Sequence, residues 1–374
     1  MAALNSLLGI LFIINTPHIP FFSPAEIQLY NGLSFFKKTT DFGNILFVDV
    51  SYDNQLITPA GVPGNMVITD RQKLTEFLSI LDKNQAAIKA VICDINLSYT
   101  ALEDSMLLAT LKNLKTKVIF PKNNETLYTG ITGAFSAEVT KINDALIQYP
   151  LWDNERQPTY PMGIYTLLHP EAEVYPWKWL PVTRTDKGLF PSSLTITPLI
   201  KPSDFEIYEN SSGRYKLETL GDFNSIGIPP AAKDLLIVVG SFNPEGNDIH
   251  QGYYPYTYGA LAILNTYLML EHRHSRISVG WLLTVGLLLL ALNYGYLRKK
   301  MAAADKALPV KERKPFRRFI ARIISLSFWN FLFFLYIIGA ISYFCFDFPL
   351  QLIILNLILP LELKLLKWFS GYLG

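Results

Sequence analysis

Short apolar runs recur along residues 23–276, separated by polar segments and by stripes at helical spacing. Each run is four to six residues long and rich in branched side chains, which is typical of buried strands. The sequence therefore predicts strands over residues 45–50, 90–95, 117–120 and 235–240.

Helical patterns lie between these runs. Leu74, Phe77, Leu78 and Leu81 form an i, i+3, i+4, i+7 stripe, residues 104–114 repeat it, and residues 258–270 form an apolar helix. Alternating strands and helices favour an α/β domain with a mostly parallel sheet flanked by helices. Prolines and tryptophans interrupt the pattern from 121 to 230, which predicts either an antiparallel extension or long loops over one edge.

Longer apolar segments surround the domain at 23–276. Residues 277–297, 323–345 and 348–368 approach the roughly 20 apolar residues that a bilayer core requires, and they are predicted to be transmembrane helices. For the third segment, the alternative is a helix that lies in the membrane interface and does not span the bilayer. Residues 1–22 are predicted to be an N-terminal transmembrane helix or signal anchor, with a cleaved signal peptide as the alternative.

Basic residues are concentrated in residues 298–322, which contain ten lysines and arginines and only two acidic residues, Asp305 and Glu312. Short loops this basic remain in the cytoplasm, so the sequence predicts a basic cytoplasmic loop here and places the domain at 23–276 outside the cytoplasm of a bacterial inner membrane. The residues expected to set this topology are Arg298, Lys299, Lys300, Arg313, Lys314, Arg317 and Arg318.

Overall composition adds little to this picture. The chain has 374 residues and a net charge of +2, which does not suggest a nucleic-acid partner. Cys93 lies in a predicted strand and Cys345 in an apolar segment, so a disulfide between them is not expected. Asn293 and Asn330 interrupt two apolar segments, and we expect them to hydrogen-bond between neighbouring helices.

Carboxylates follow the predicted strands, and the carboxyl ends of parallel strands are where ligands bind in such sheets. The sequence predicts a ligand-binding site there, formed by Asp49, Asp53, Asp94, Asn247, Asp248 and His250. The alternative is a structural role, in which these carboxylates cap helices or pair with Arg71 and Lys73. Asp70 and Asp104 open two predicted helices and are expected to serve the helix N-termini.

Familiar catalytic motifs are missing from the sequence. There is no P-loop, Gly-x-Ser-x-Gly elbow, His-Glu-x-x-His, dinucleotide fingerprint or Cys-x-x-Cys pair. His272 and His274 form a lone His-x-His, which is weak evidence for a metal. We therefore expect no catalytic residue, no metal, no cofactor and no enzymatic activity.

Several short motifs resemble one known family. They are the strand at 45–50 ending in Asp49-Val50, the helix start Ile68-Thr69-Asp70-Arg71, the strand end Cys93-Asp94-Ile95, and residues 234–270 with Asp248-x-His250. Together they resemble the second type of CHASE domain, an extracytoplasmic sensory domain. The resemblance covers roughly residues 25–275 and implies ligand sensing.

Two departures from this family stand out. Its Trp-Pro and Arg elements between the first strand and first helix are replaced by Pro59-Ala60-Gly61-Val62-Pro63-Gly64, and no output domain follows the last apolar segment. The sequence therefore predicts a stand-alone, membrane-anchored ligand-recognition protein that relays to a separate protein partner. The alternative is a structural or accessory subunit of a bacterial membrane complex, and oligomers are compatible with either.

Overall fold

The structure is a computed structural model, and its description covers most of the chain between residues 2 and 355. The described ranges are 2–15, 24–36, 40–58, 64–95, 97, 99–122, 134–136, 140–142, 145–206, 213–230, 232–245, 248–250, 257–304, 328–352 and 355. The predicted loop residues 305–322 and the final segment beyond 355 lie outside them.

A parallel sheet forms the centre of the fold. Its strands are β1 (Ile45–Asp49), β4 (Ile88–Cys93), β5 (Val118–Lys122), β6 (Ala134–Ser136), β13 (Phe205–Glu206), β14 (Tyr215–Thr219) and β15 (Leu235–Gly240). They lie in the order β13-β14-β1-β15-β4-β5-β6, and every neighbouring pair is parallel.

Smaller antiparallel sheets and hairpins surround the centre. Their strands are β2 (Asn54–Ile57), β3 (Met66–Thr69), β7 (Thr140–Ile142), β8 (Ala145–Pro150), β9 (Tyr175–Pro176), β10 (Val182–Thr185), β11 (Gly188–Pro191), β12 (Ser193–Thr195), β16 (Ile249–His250) and β17 (Thr257–Tyr258). The pairs β2-β3 and β16-β17 stand alone, whereas β9-β10-β11 and β7-β8-β12 form three-stranded sheets.

Helices cover both faces of the parallel sheet, because alternate residues of each buried strand point to opposite sides. On one face, Leu46, Val48 and Val91 contact helices α3 (Arg71–Lys83), α4 (Asp104–Asn113) and α6 (Leu220–Ile226). On the other face, Phe47 and Ile92 pack with α5 (Tyr160–Leu168) and α7 (Gly259–Glu271). The core is therefore split by the sheet into two layers.

The predicted α/β part of the fold class is confirmed. The predicted strands over 45–50, 90–95, 117–120 and 235–240 correspond to β1, β4, β5 and β15, and the predicted helices correspond to α3, α4 and α7. Residues 121–230 supply the antiparallel strands anticipated as one alternative, but they also contain α5 and the parallel strand β14, which the sequence did not predict.

Three apolar helices pack beside this domain: α1 (Ala2–Asn15), α8 (Val279–Ala304) and α9 (Phe328–Phe346), with the shorter α2 (Pro24–Phe35) near α9. Trp281 stacks on Phe348 with ring centroids 4.4 Å apart and donates a hydrogen bond to the Ser342 hydroxyl at 2.9 Å. Asn293 donates to the Ser6 hydroxyl at 3.0 Å, which confirms its predicted bond between helices.

The transmembrane part of the predicted fold class is wrong. Among the described residues, no helix is both long and apolar enough to cross a membrane. α1 has only 14 residues and α9 has 19, compared with the roughly 20 that span a bilayer core. The apolar stretch of α8 gives way to Arg298, Lys299 and Lys300 inside the helix.

Candidate functional site

The carboxyl edge of the sheet brings two of the predicted aspartates to one face. Asp49 ends β1 and pairs in register with Gly240 at the end of β15. Asp94 follows β4, and its backbone N–H donates to the Val239 carbonyl at 2.8 Å. Asp49 and Asp94 therefore flank Gly240 on either side, pointing to the face that α5 and α7 cover.

Gly240 is required at this position by close packing. A Cβ atom on it would lie 2.6 Å from the Cβ of Ala260 and 3.8 Å from that of Asp94. Since real Cβ atoms do not approach so closely, any side chain here would push the first turn of α7 away from the sheet. The glycine thus fixes α7 directly beside Asp94.

Asp49 is buried and acts as a structural acceptor. Its Oδ1 accepts hydrogen bonds from the backbone N–H of Ser51 at 2.9 Å, from the Ser51 hydroxyl at 2.5 Å and from the N–H of Phe242 at 3.0 Å. The Ser51 hydroxyl also lies 3.0 Å from that of Ser241. Asp49 therefore ties the loop after β1 to the loop after β15.

Asp94 differs from Asp49 because its carboxylate makes no hydrogen bond with the described residues. Protein atoms crowd around it, although its side chain keeps partial access to solvent. This burial, together with the negative charge of Asp248, raises the pKa of Asp94 from 3.8 to about 7. The carboxyl group can therefore both donate and accept a proton near neutral pH.

Asp248 and His250 lie at the start of α7. The Asp248 Oδ2 accepts from the N–H of Gly259 at 3.2 Å, and Nε2 of His250 lies 3.3 Å from Asp248 Oδ1. A Cβ on Gly259 would lie 2.6 Å from Asp248 Oδ1, so glycine allows the carboxylate to reach the helix terminus. We call Asp94, Asp248 and His250 the Asp94 cluster.

Asp53 lies outside this cluster, although it was predicted to belong to the same site. Its Oδ1 accepts from Nζ of Lys73 at 2.6 Å and its Oδ2 from the N–H of Gly221 at 3.2 Å, so it joins α3 to α6. This matches the predicted structural alternative. Asn247 lies outside the described residues.

The two helix-opening aspartates have different roles. Asp70 caps α3, accepting from the N–H of Lys73 at 3.0 Å, as predicted. Asp104 is the first residue of α4, and its Oδ1 lies 3.3 Å from Nε of the fully buried Arg71. Both helices start on the face opposite to the Asp94 cluster, so this ion pair belongs to the framework.

The role of Tyr160 could not be predicted from the sequence. Its hydroxyl lies within hydrogen-bond distance of the carbonyls of Ile119, at 2.6 Å, and Cys93, at 2.9 Å, between which its single proton is shared, and it accepts from the N–H of Cys93 at 3.0 Å. It therefore holds the ends of β4 and β5 together directly beside Asp94. Thr159-Tyr160-Pro161 was a recognisable helix start, with proline in the first turn, but nothing in the pattern indicated which strands it would reach.

The chemistry available at this edge is that of carboxyl groups and an imidazole. In the described part of the chain, no group of three His, Cys, Asp or Glu side chains is arranged to hold a metal ion. The Asp94 cluster instead offers a carboxyl group poised near neutrality beside a second carboxylate. Two neighbouring carboxyl groups favour a positive charge beside them, and a shifted pKa such as that of Asp94 is common at functional sites.

Comparison with known proteins adds no relative. Scans against protein-family models, curated proteins and solved structures give no match to this chain. The resemblance to the second type of CHASE domain therefore stays a prediction.

Proposed function

We propose that this chain is a ligand-recognition protein that relays the bound state of its α/β domain to a separate protein partner. The observation that carries this proposal is Asp94, a crowded carboxyl group at the carboxyl edge of the sheet with no hydrogen bond to the described residues. Ionising this crowded group beside Asp248 costs free energy, and a ligand that supplies a positive charge recovers it. The predicted sensory family points in the same direction.

The charges around Asp94 favour a cationic ligand. Asp248 is the neighbouring charge that raises the pKa of Asp94, and no basic side chain is among its causes. An ammonium or guanidinium group placed between Asp94 and Asp248 would relieve this repulsion and return Asp94 to its ionised form. The ligand class is therefore a small amine or guanidine.

Helix α7 supplies a route from the site to the rest of the molecule. Its first turn carries the Asp248 contact and packs on Gly240, and its residues from Ala260 to Leu270 are all buried. Just beyond its last turn, Nδ1 of His274 lies 2.9 Å from Asp347 Oδ2. Helix α7 thus contacts the site at its first turn and the end of α9 just beyond its last turn. We expect this buried helix to move as a unit, so a shift at the site would reach α8 and α9.

Asp94→Asn is expected to stabilise the protein at alkaline pH. The pKa of Asp94 is higher in the folded chain than its ordinary value, so folding favours the protonated form, and stability falls as pH rises from about 4 through 7. Asparagine mimics that neutral form. We expect the variant to gain about 2 kcal/mol of unfolding free energy at pH 8, allowing for solvent screening, and almost none at pH 4.

Urea denaturation at pH 4, 6 and 8 measures this difference. Glu245→Gln is the control, because Glu245 is exposed in the turn after β15 and its side chain makes no hydrogen bond or ion pair with the described residues. Its stability should follow that of the unmodified chain at all three pH values. An Asp94→Asn gain that does not change with pH would contradict the shifted pKa.

Ligand binding is tested by thermal unfolding of the full chain at pH 7 with ethylamine, putrescine, spermidine and arginine, at matched ionic strength. We expect at least one of them to raise the midpoint by about 2 °C or more, and to lose this effect in Asp94→Asn. Propionate and succinate serve as anionic controls. Failure of all four cations, or an equal shift in Asp94→Asn, would overturn the proposal.

A further inference from the structure

Apolar side chains point outward along the three helices beside the α/β domain. The exposed residues are Leu4, Leu7 and Leu11 on α1, Val279, Leu283, Leu287 and Tyr294 on α8, and Phe333, Ile337 and Phe344 on α9. On each helix they recur three, four or seven residues apart, so they form one stripe along its outer side. We call these ten residues the outer apolar surface.

The inner sides of the same helices are apolar as well. On α8, Trp281, Val285 and Leu289 are fully buried against the neighbouring helices, while Leu283 and Leu287, between them, are 60% and 62% exposed. A surface helix in water normally carries polar residues on its outer side. The outward leucines are therefore not explained by packing against the described residues, and exposed apolar stripes of this kind mark a site of interaction.

The chemistry of the outer apolar surface distinguishes between partners. Protein interfaces carry about one hydrogen bond per 100–200 Å², whereas the ten side chains of this surface offer one polar group, the Tyr294 hydroxyl. A surface with so few hydrogen-bonding groups is suited to acyl chains, which need none.

The sequence that follows α8 supplies matching charge. Residues 298–322 contain ten lysines and arginines against Asp305 and Glu312, and this segment begins within α8 itself, directly after its apolar stretch. Basic clusters beside an apolar anchor bind anionic lipid headgroups, each residue adding to the attraction. Apolar contact and positive charge are thus adjacent along the chain, as they are in lipid-binding surfaces.

We propose that the outer apolar surface binds the acyl region of a lipid membrane, with Arg298, Lys299 and Lys300, which follow the apolar stretch of α8, on its anionic headgroups. The assignment rests on the exposed stripes of α1, α8 and α9 and on the adjoining charge. It is independent of the Asp94 cluster and of any ligand bound there.

Vesicle flotation tests the proposal. The full chain is synthesised in a cell-free system with vesicles of phosphatidylcholine and phosphatidylglycerol at 4:1, and its floating fraction is compared with that of Leu283→Glu/Leu287→Glu. The matched control is Leu102→Glu, since Leu102 is 95% exposed but lies before α4, away from the three helices. Limited proteolysis of each variant checks that the α/β domain is folded.

We expect most of the unmodified chain and of Leu102→Glu to float, and the floating fraction of the double variant to fall at least threefold. Replacing phosphatidylglycerol by phosphatidylcholine should lower the floating fraction, and 1 M NaCl should remove that difference. Equal flotation of the double variant would overturn the proposal. The proposal would also be overturned if the unmodified chain did not float with the vesicles but formed dimers that the double variant cannot form. The surface would then bind a second copy of the chain.

Discussion

Asp104→Asn is expected to lower the free energy of unfolding by about 3–5 kcal/mol. Arg71 is fully buried, and Asp104 Oδ1 is 3.3 Å from its Nε. Asparagine can still accept the hydrogen bond that Asp104 Oδ2 receives from the N–H of Ala101 at 2.8 Å, but its NH2 group then replaces Oδ1 beside Arg71, so the buried guanidinium loses its counterion. Urea denaturation followed by circular dichroism measures the change.

A double variant distinguishes the charge from the shape of this site. Replacing both partners, as Arg71→Met/Asp104→Leu, removes the buried charge together with its counterion, and such replacements are often neutral. We expect the double variant to be more stable than Asp104→Leu alone. If the single and double variants lost equal stability, the ion pair would not be the source of the effect.

Asp49→Ala is expected to lower the free energy of unfolding by about 3 kcal/mol, the second largest effect. Its Oδ1 accepts three hydrogen bonds, and alanine would leave the buried N–H of Phe242 and the N–H of Ser51 without this acceptor. Hydrogen exchange should also accelerate at these two amides, because Asp49 holds the two loops together.

Asp49→Asn provides the graded comparison. All three hydrogen bonds reach the same oxygen, so an asparagine carbonyl in that position can accept each of them without the charge. We expect a loss of only about 1 kcal/mol, measured by the same urea denaturation. A loss equal to that of alanine would show that the negative charge, rather than the acceptor geometry, stabilises the loops.

The strands and helices could be predicted from the sequence because their signals are local. The branched runs of β1, β4 and β15 and the leucine stripe of α3 each indicate one element without reference to the others. The order of strands is not local information. Nothing in the run from Leu235 to Gly240 indicates that it lies between β1 and β4, and β14 was missed because its pattern of Tyr215, Lys216 and Glu218 is weakly apolar.

The candidate site could be predicted only in part, because local sequence signals indicate the edge of the sheet but not its face. The rule that strand ends meet at one edge correctly brought Asp49 and Asp94 to that edge, but it could not assign them to a face. Side-chain alternation along the strands places both beneath α7, whereas Asp53 and Asp104 lie beneath the opposite helices. The separation of a structural Asp49 from an unpaired Asp94 depends on the loop at Ser241–Phe242, which no spacing rule describes.

The position of β15 constrains how the chain can fold. It is the last strand of the parallel sheet to be synthesised, yet it lies between the first strand, β1, and the next, β4. While the ribosome is still making residues 235–240, the half-sheets β14-β1 and β4-β5 have exposed edges and no shared hydrogen bonds. Sheet closure therefore waits until nearly two thirds of the chain has emerged, and the open edges meanwhile are the places where a chaperone would be needed.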